Sequence, residues 1–149
     1  MAVGAWTFYN HFKKNLGLGK IVLSGGVFHM TLHTSASNAT TATLSTYGSV
    51  TGQVAAGNGY LTSGQAFTHT WTSGASAAQW RFNFSPALVW TGTGGTISNI
   101  KFAVIWTSGV SALAKKLICY SQLSTAQFNL TINNTLTITA AATGVFNLA

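Results

Sequence analysis

Between Val27 and Ile138 the apolar residues recur at every second position, and that period decides the fold class. In VFHMTLHT, Phe28, Met30 and Leu32 fall on one side and His29, Thr31 and His33 on the other, the alternation of a half-buried strand. The rhythm returns in QAFTHTWT (Phe67, His69, Trp71), AQWRFNF (Trp80, Phe82, Phe84) and NIKFAVIW (Ile100, Phe102, Val104, Trp106). It continues in KLICYSQ (Ile118, Tyr120), QFNLTI (Phe128, Leu130, Ile132) and TLTIT (Leu136, Ile138). Turns separate the runs: AAGNGY and TGTGG supply glycine where φ must be positive, and INNTL reads as a hairpin because asparagine tolerates the left-handed region. Pro86 reads as a strand start, and the polar stretch 35–46 as a surface loop or an edge strand. Seven or more short strands predict an all-β chain, an antiparallel β-sandwich or barrel.

The opening stretch AWTFYNHFKKNLGLGK breaks the period. Trp6, Tyr9, Phe12, Lys13 and Leu16 are spaced by three and four, and Gly17 and Gly19 follow the lysine pair as stop signals. The spacing predicts a short amphipathic helix over 6–16. It divides the chain into an N-terminal helical arm, 1–19, and a β-sandwich domain, 20–149. Such a helix either caps an open end of the sandwich or docks on a neighbour.

Charge narrows the function. The 149 residues include no Asp or Glu, while Lys and Arg number 7, for a net charge of +7. Lys13, Lys14, Lys20, Arg81, Lys101, Lys115 and Lys116 therefore have no side-chain carboxylate to pair with. Each is expected to face water, a backbone carbonyl or an anion supplied by another molecule. Carboxylate acid–base catalysis, Asp-oriented triads and calcium or magnesium cages are excluded for want of their ligands. His29 and His33, four residues apart on a strand, stand about 13 Å from one another and cannot share a metal ion. No GxSxG elbow occurs, so the expectation is a protein without catalysis, metal or cofactor.

Only Lys13/Lys14 and Lys115/Lys116 are adjacent cations, and the high pI comes from missing acids, so nucleic acid is not the expected partner. No run approaches the roughly 20 apolar residues of a membrane span, and no signal-peptide pattern opens the chain. Cys119, the one cysteine, lies in apolar LICY and reads as a buried thiol. The five tryptophans fit core packing, with a sugar-binding face as the other reading.

The order of these features resembles a family of small β-sandwich virion proteins of tailed bacteriophages, of the capsid decoration or cement type. The residues that carry the likeness are WTFYNHFKKNLGLG, the FHMTLHTS strand with its Thr/Ala-rich sequel, AAGNGYLTSGQAF, ISNIKFAVIW, ICYSQ and the terminal NLTINNTLTITAAATGVFNL. Relatives of this type carry acids in the strands and near the last hairpin, where this chain has Asn, Gln, Ser and Thr. The resemblance implies a structural subunit of the particle, assembled in the host cytoplasm and located in the virion.

Together these readings lead to a decoration subunit on the outer surface of an icosahedral head. Its partners would be the acidic lattice of the major capsid protein and further copies of itself, as a dimer or trimer. Trp6, Phe8, Tyr9, Phe12, Lys13, Lys14, Lys115 and Lys116 are the candidate partner-binding residues, since rings and cations dominate interface energetics. Removing residues 1–16 is then expected to leave a folded sandwich that no longer attaches. A tail, neck or fibre-associated component and a carbohydrate-binding module are the alternatives.

Overall fold

The computed structural model describes residues 5–74, 76, 78–108 and 115–148. In chain order its elements are β1 (Thr7–Phe8), α1 (Asn10–Gly17), β2 (Phe28–His33), β3 (Gln65–Phe67), β4 (His69–Ser73), β5 (Trp80–Phe84) and β6 (Leu88–Thr91). β7 (Ile97–Ile100), β8 (Phe102–Thr107), β9 (Lys116–Gln122), β10 (Phe128–Leu130), β11 (Thr135–Ile138) and β12 (Phe146–Leu148) follow. The protein is an antiparallel all-β sandwich with one short helix near the N-terminus. One sheet runs β1-β9-β8-β2-β3; facing it are the ladder β12-β5-β4 and the pairs β11-β6 and β10-β7.

The main core fills the space between these layers. Phe28 of β2 meets Phe82 of β5 at 5.0 Å between ring centroids, and Phe82 stacks on Phe146 of β12 at 5.1 Å. Each fully buried ring of this kind contributes about 1.5–3 kcal/mol relative to exposure. Cys119 lies fully buried in the same core, and burial pushes its thiol pKa well up.

β2 departs from the half-buried strand the alternation predicts. Phe28, Met30 and Leu32 do enter the main core, but Thr31 and His33 on the other face are fully buried too. A second cluster, built on Tyr9, Ala39, Phe102, Val104, Trp106 and Leu117, covers that outer face. Residues 39–50 close over it: Leu44, Tyr47 and Val50 pack against the cluster, and Asn10 N–H donates to the Ala42 carbonyl at 2.8 Å. The polar stretch 35–46 is thus a loop, tied down over a second apolar layer. Period two marks two different surroundings; it does not say that one of them is water.

Two changes of sheet and a bulge shape the layers. QAFTHTWT is two strands, not one, because the chain leaves the five-stranded sheet at Thr68 and joins the opposite layer as β4. NIKFAVIW divides likewise at Lys101, so Ile100 serves the main core while Phe102, Val104 and Trp106 serve the outer cluster. In β9, Ile105 pairs with Cys119 but Trp106 pairs with Leu117, which leaves Ile118 as an extra residue in a β-bulge. Ile118 and Cys119 both enter the main core, and the Ile118 carbonyl accepts Tyr9 N–H at 3.1 Å.

The turns follow their side chains. Asn58 (φ 53) and Gly59 (φ 93) form the centre of a tight turn closed by reciprocal Gly57–Tyr60 backbone bonds of 2.9 Å. A Cβ at Gly59 would collide with the Thr91 carbonyl. Asn133 adopts φ 64 as expected of INNTL, yet the flanking strands do not form a hairpin: β10 pairs with β7 and β11 with β6. Pro86 lies in the connection between β5 and β6 rather than at a strand start.

The N-terminal segment corrects the helix predicted over 6–16. Thr7 and Phe8 pair with Tyr120 and Cys119 as an edge strand, and the helix occupies Asn10–Gly17. It ends as its glycines predict. Gly19 (φ 66) donates to the Leu16 carbonyl and Lys20 to that of Asn15, the paired bonds of a Schellman motif. Phe12 is fully buried, stacked on Phe8 at 5.0 Å and edge-on to Phe146 at 5.6 Å. The described part of the 1–19 arm therefore packs into the same core as the sandwich.

Candidate interaction surface

The candidate partner-binding residues divide sharply once placed. Tyr9 and Phe12 have no exposed surface, and Tyr9 Oη donates to the Ala39 carbonyl at 2.6 Å. Neither reaches a partner while the fold is intact, so the expectation fails for this pair: their rings face inward to complete two apolar layers. Trp6 and Phe8 are half-buried against the main core. Lys13 and Lys14, on the other side of α1, are exposed.

Lys116 begins β9, and Lys115 immediately precedes it. Lys116 is half-buried and faces Thr107 across the ladder, and an isolated bridge joins it to Thr46. Lys115 is exposed, but its ammonium lies over rings, 4.6 Å from the Trp106 centroid and 5.7 Å from that of Tyr47. Such contacts contribute about 0.5–1 kcal/mol at exposed sites. Lys101 Nζ sits 5.6 Å from the Phe102 ring in the same way. With no side-chain carboxylate in the chain, aromatic π-faces take part of the role of counter-charge.

Beneath Lys115 is a stack drawn from three distant segments. His29 lies parallel to Trp106 at 4.3 Å and 6°, and Tyr47 at 4.7 Å and 18°. Sheet register sets His29 opposite Trp106, and the backbone bond from Tyr47 N–H to the Lys115 carbonyl (2.9 Å) brings in the third ring. His29 Nδ1 and Trp106 Nε1 are buried and find no hydrogen-bond partner among the described residues. Burial lowers the His29 pKa, and the neighbouring Lys115 charge lowers it further. His33, deeper in the layer, is held near pKa 4 by desolvation; its Nε2 meets Thr31 Oγ1 at 3.1 Å. A cleft of about 440 Å³ opens beside Lys115, lined by Thr46, Tyr47 and Gly48.

This arrangement offers an anion one exposed ammonium on an aromatic platform. Tyr47, His29 and Trp106 were invisible as site residues in the sequence, since they are 18 and 59 residues apart along the chain from one to the next. The usable signal was chemical: a lysine without acids seeks rings. The histidines do not gather for metal binding, and no group of three or more His, Cys, Asp or Glu capable of holding a metal ion occurs among the described residues. Among the same residues no helix is long and apolar enough to cross a membrane.

Tryptophan placement is mixed. Trp90 and Trp106 are buried, whereas Trp80 is 48 % exposed and stacks on Trp71 at 5.7 Å and 23°. Comparison with protein-family models, with curated proteins and with solved structures yields no match to this chain.

Proposed function

We propose that the protein is a virion structural subunit of the decoration or cement type, bound through its cations to an acidic lattice on the outside of a phage head. The observation that carries this reading is the pairing state of its charges. Lys13, Lys14, Lys20 and Lys115 are exposed in a chain that holds no acidic side chain. An external anionic surface is the partner that such a charge distribution fits, because no internal ion pair competes for the ammonium groups. The Thr- and Ser-rich surface supports close packing against neighbours, since few ions need be desolvated. Copies of the chain around a local symmetry axis would add their individually weak contacts. The function is read as structural, without catalysis or cofactor.

The decisive experiment counts copies in purified particles and measures rebinding to stripped heads at increasing salt. On the order of hundreds of copies, with attachment that weakens as salt rises, is the expected result. A handful of copies per particle points instead to the tail, neck or fibre. The Trp71–Trp80 pair favours one further reading, glycan binding on an exposed aromatic face. Glycan binding abolished by Trp80→Ala would establish it.

A further inference from the structure

The chain has a single arginine, and it is placed unlike any of the lysines. Arg81 and Asn83 stand two residues apart on β5, on the face turned away from Phe82 and Phe84, which enter the main core. This is the outer face of the layer opposite to the one that carries Lys115. Arg81 Nη1 donates to the Ala142 carbonyl at 3.2 Å. Arg81 Nε and Asn83 Oδ1 are both buried and have no hydrogen-bond partner among the described residues. The two side chains line a cavity of about 350 Å³, together with Ser85, Thr139 and residues 140–142.

Gly144 explains how the arginine comes to lie there. Its φ is +87°, and a Cβ at this position would stand 2.6 Å from Arg81 Cγ and 2.8 Å from the Phe82 carbonyl oxygen. Only glycine leaves room for the arginine stem against the backbone. The guanidinium is thus pinned by its stem and by one nitrogen, while its Nε has no partner among the described residues. A guanidinium edge presents two parallel N–H groups that match the two oxygens of a carboxylate. No Asp or Glu exists in the chain to fill it.

We propose that the Arg81–Asn83 cavity binds a carboxylate from outside the chain, presented as an aspartate or glutamate side chain of a partner protein. The carboxylate accepts from the Nε edge of Arg81, and the Asn83 amide turns its NH₂ group toward the same oxygens. A carboxylate fits better than a phosphate. The site supplies one positive charge, and the rest of its lining is amide, hydroxyl, methyl and backbone. This inference stands apart from the Lys115 surface. With both sites engaged, one subunit holds acidic groups on two opposite faces.

A lone arginine makes the test direct, because the ¹H–¹⁵N spectrum of the full chain carries one side-chain Nε–Hε resonance. That resonance is followed while adding the tripeptide acetyl-Gly-Glu-Gly-amide, its Gln counterpart, acetate or inorganic phosphate. A saturable shift is expected with the Glu peptide and none with the Gln peptide. Asn83→Ala, with its circular dichroism unchanged, weakens the Glu peptide by about tenfold, and Lys115→Ala leaves the titration as it was. Tighter saturation by the peptide than by acetate identifies a protein side chain as the source. Acetate binding as tightly as the peptide overturns that source and leaves a free small carboxylate as the ligand. An unmoved resonance, an equal shift with the Gln peptide, or phosphate binding more tightly than either carboxylate overturns the site. Particle attachment does not enter any of these readouts, so failure of the decoration reading and failure of this site are separable.

Discussion

The N-terminal segment and the Lys115 surface use the same side chains in opposite ways. In the first, Phe8, Tyr9, Phe12, Lys13 and Lys14 are neighbours in sequence, but the rings turn into the core and the ammonium groups into solvent. In the second, Tyr47, Trp106 and Lys115 are remote in sequence and meet in space. Adjacency along a helix separates residues onto different faces within a step or two, whereas strand register assembles what the sequence scatters. A cluster of rings and lysines in a sequence is therefore weak evidence for a cluster in the molecule.

The comparison breaks most readily at Phe12. Phe12→Ala is expected to cost about 3–5 kcal/mol in chemical denaturation, because the ring touches Phe8 and Phe146 in the main core. A loss below 1 kcal/mol would restore the docking arm.

Acid comes next in size, and it acts on the layer under Lys115. His33 is fully buried and titrates near pH 4 in the folded chain, against 6.5 for a free side chain. Between those values the unfolded chain binds more protons, so stability is level above about pH 6.5 and falls as pH drops toward 4. The expected loss is on the order of 3 kcal/mol. His29 and His69, also lowered by burial, act in the same sense. Since no acidic side chain titrates, this slope belongs to the histidines, and His33→Gln should flatten most of it in urea titrations run at several pH values.

Tyr9→Phe removes the hydroxyl that reaches Ala39 and should cost about 1 kcal/mol, measured by urea denaturation. The smallest effects sharpen the contrast between the lysines. Lys115→Gln is expected to cost about 0.5–1 kcal/mol and to alter Trp106 fluorescence. Lys13→Gln and Lys14→Gln should stay within about 0.5 kcal/mol of the parent. Equal effects at all three positions would remove the distinction.

Much of the fold was legible. Period two located the strands, the Asn58–Gly59 turn was readable from its residue types, and Gly19 marked the helix end. What escaped has a common cause. Periodicity records alternation, so it could not show that His33 faces a second apolar layer, nor that Thr68 and Lys101 are places where the chain changes sheets. The extra residue Ile118 sits inside an unbroken apolar run and leaves no trace there. The site was less legible than the fold. Lys115 was identifiable as a cation without a partner, but its rings come from Tyr47 and Trp106, and no local pattern links them. Arg81 was visible only as one of seven positive charges, and its distinction lies in the space that Gly144 leaves for it.

Cys119, sealed beside the bulge, has one further consequence. A sulfhydryl reagent added from outside can reach the chain's single thiol only when the layers part, so labelling proceeds at the pace of that opening. The residue is a native clock for the sandwich, needing neither an engineered probe nor removal of competing thiols.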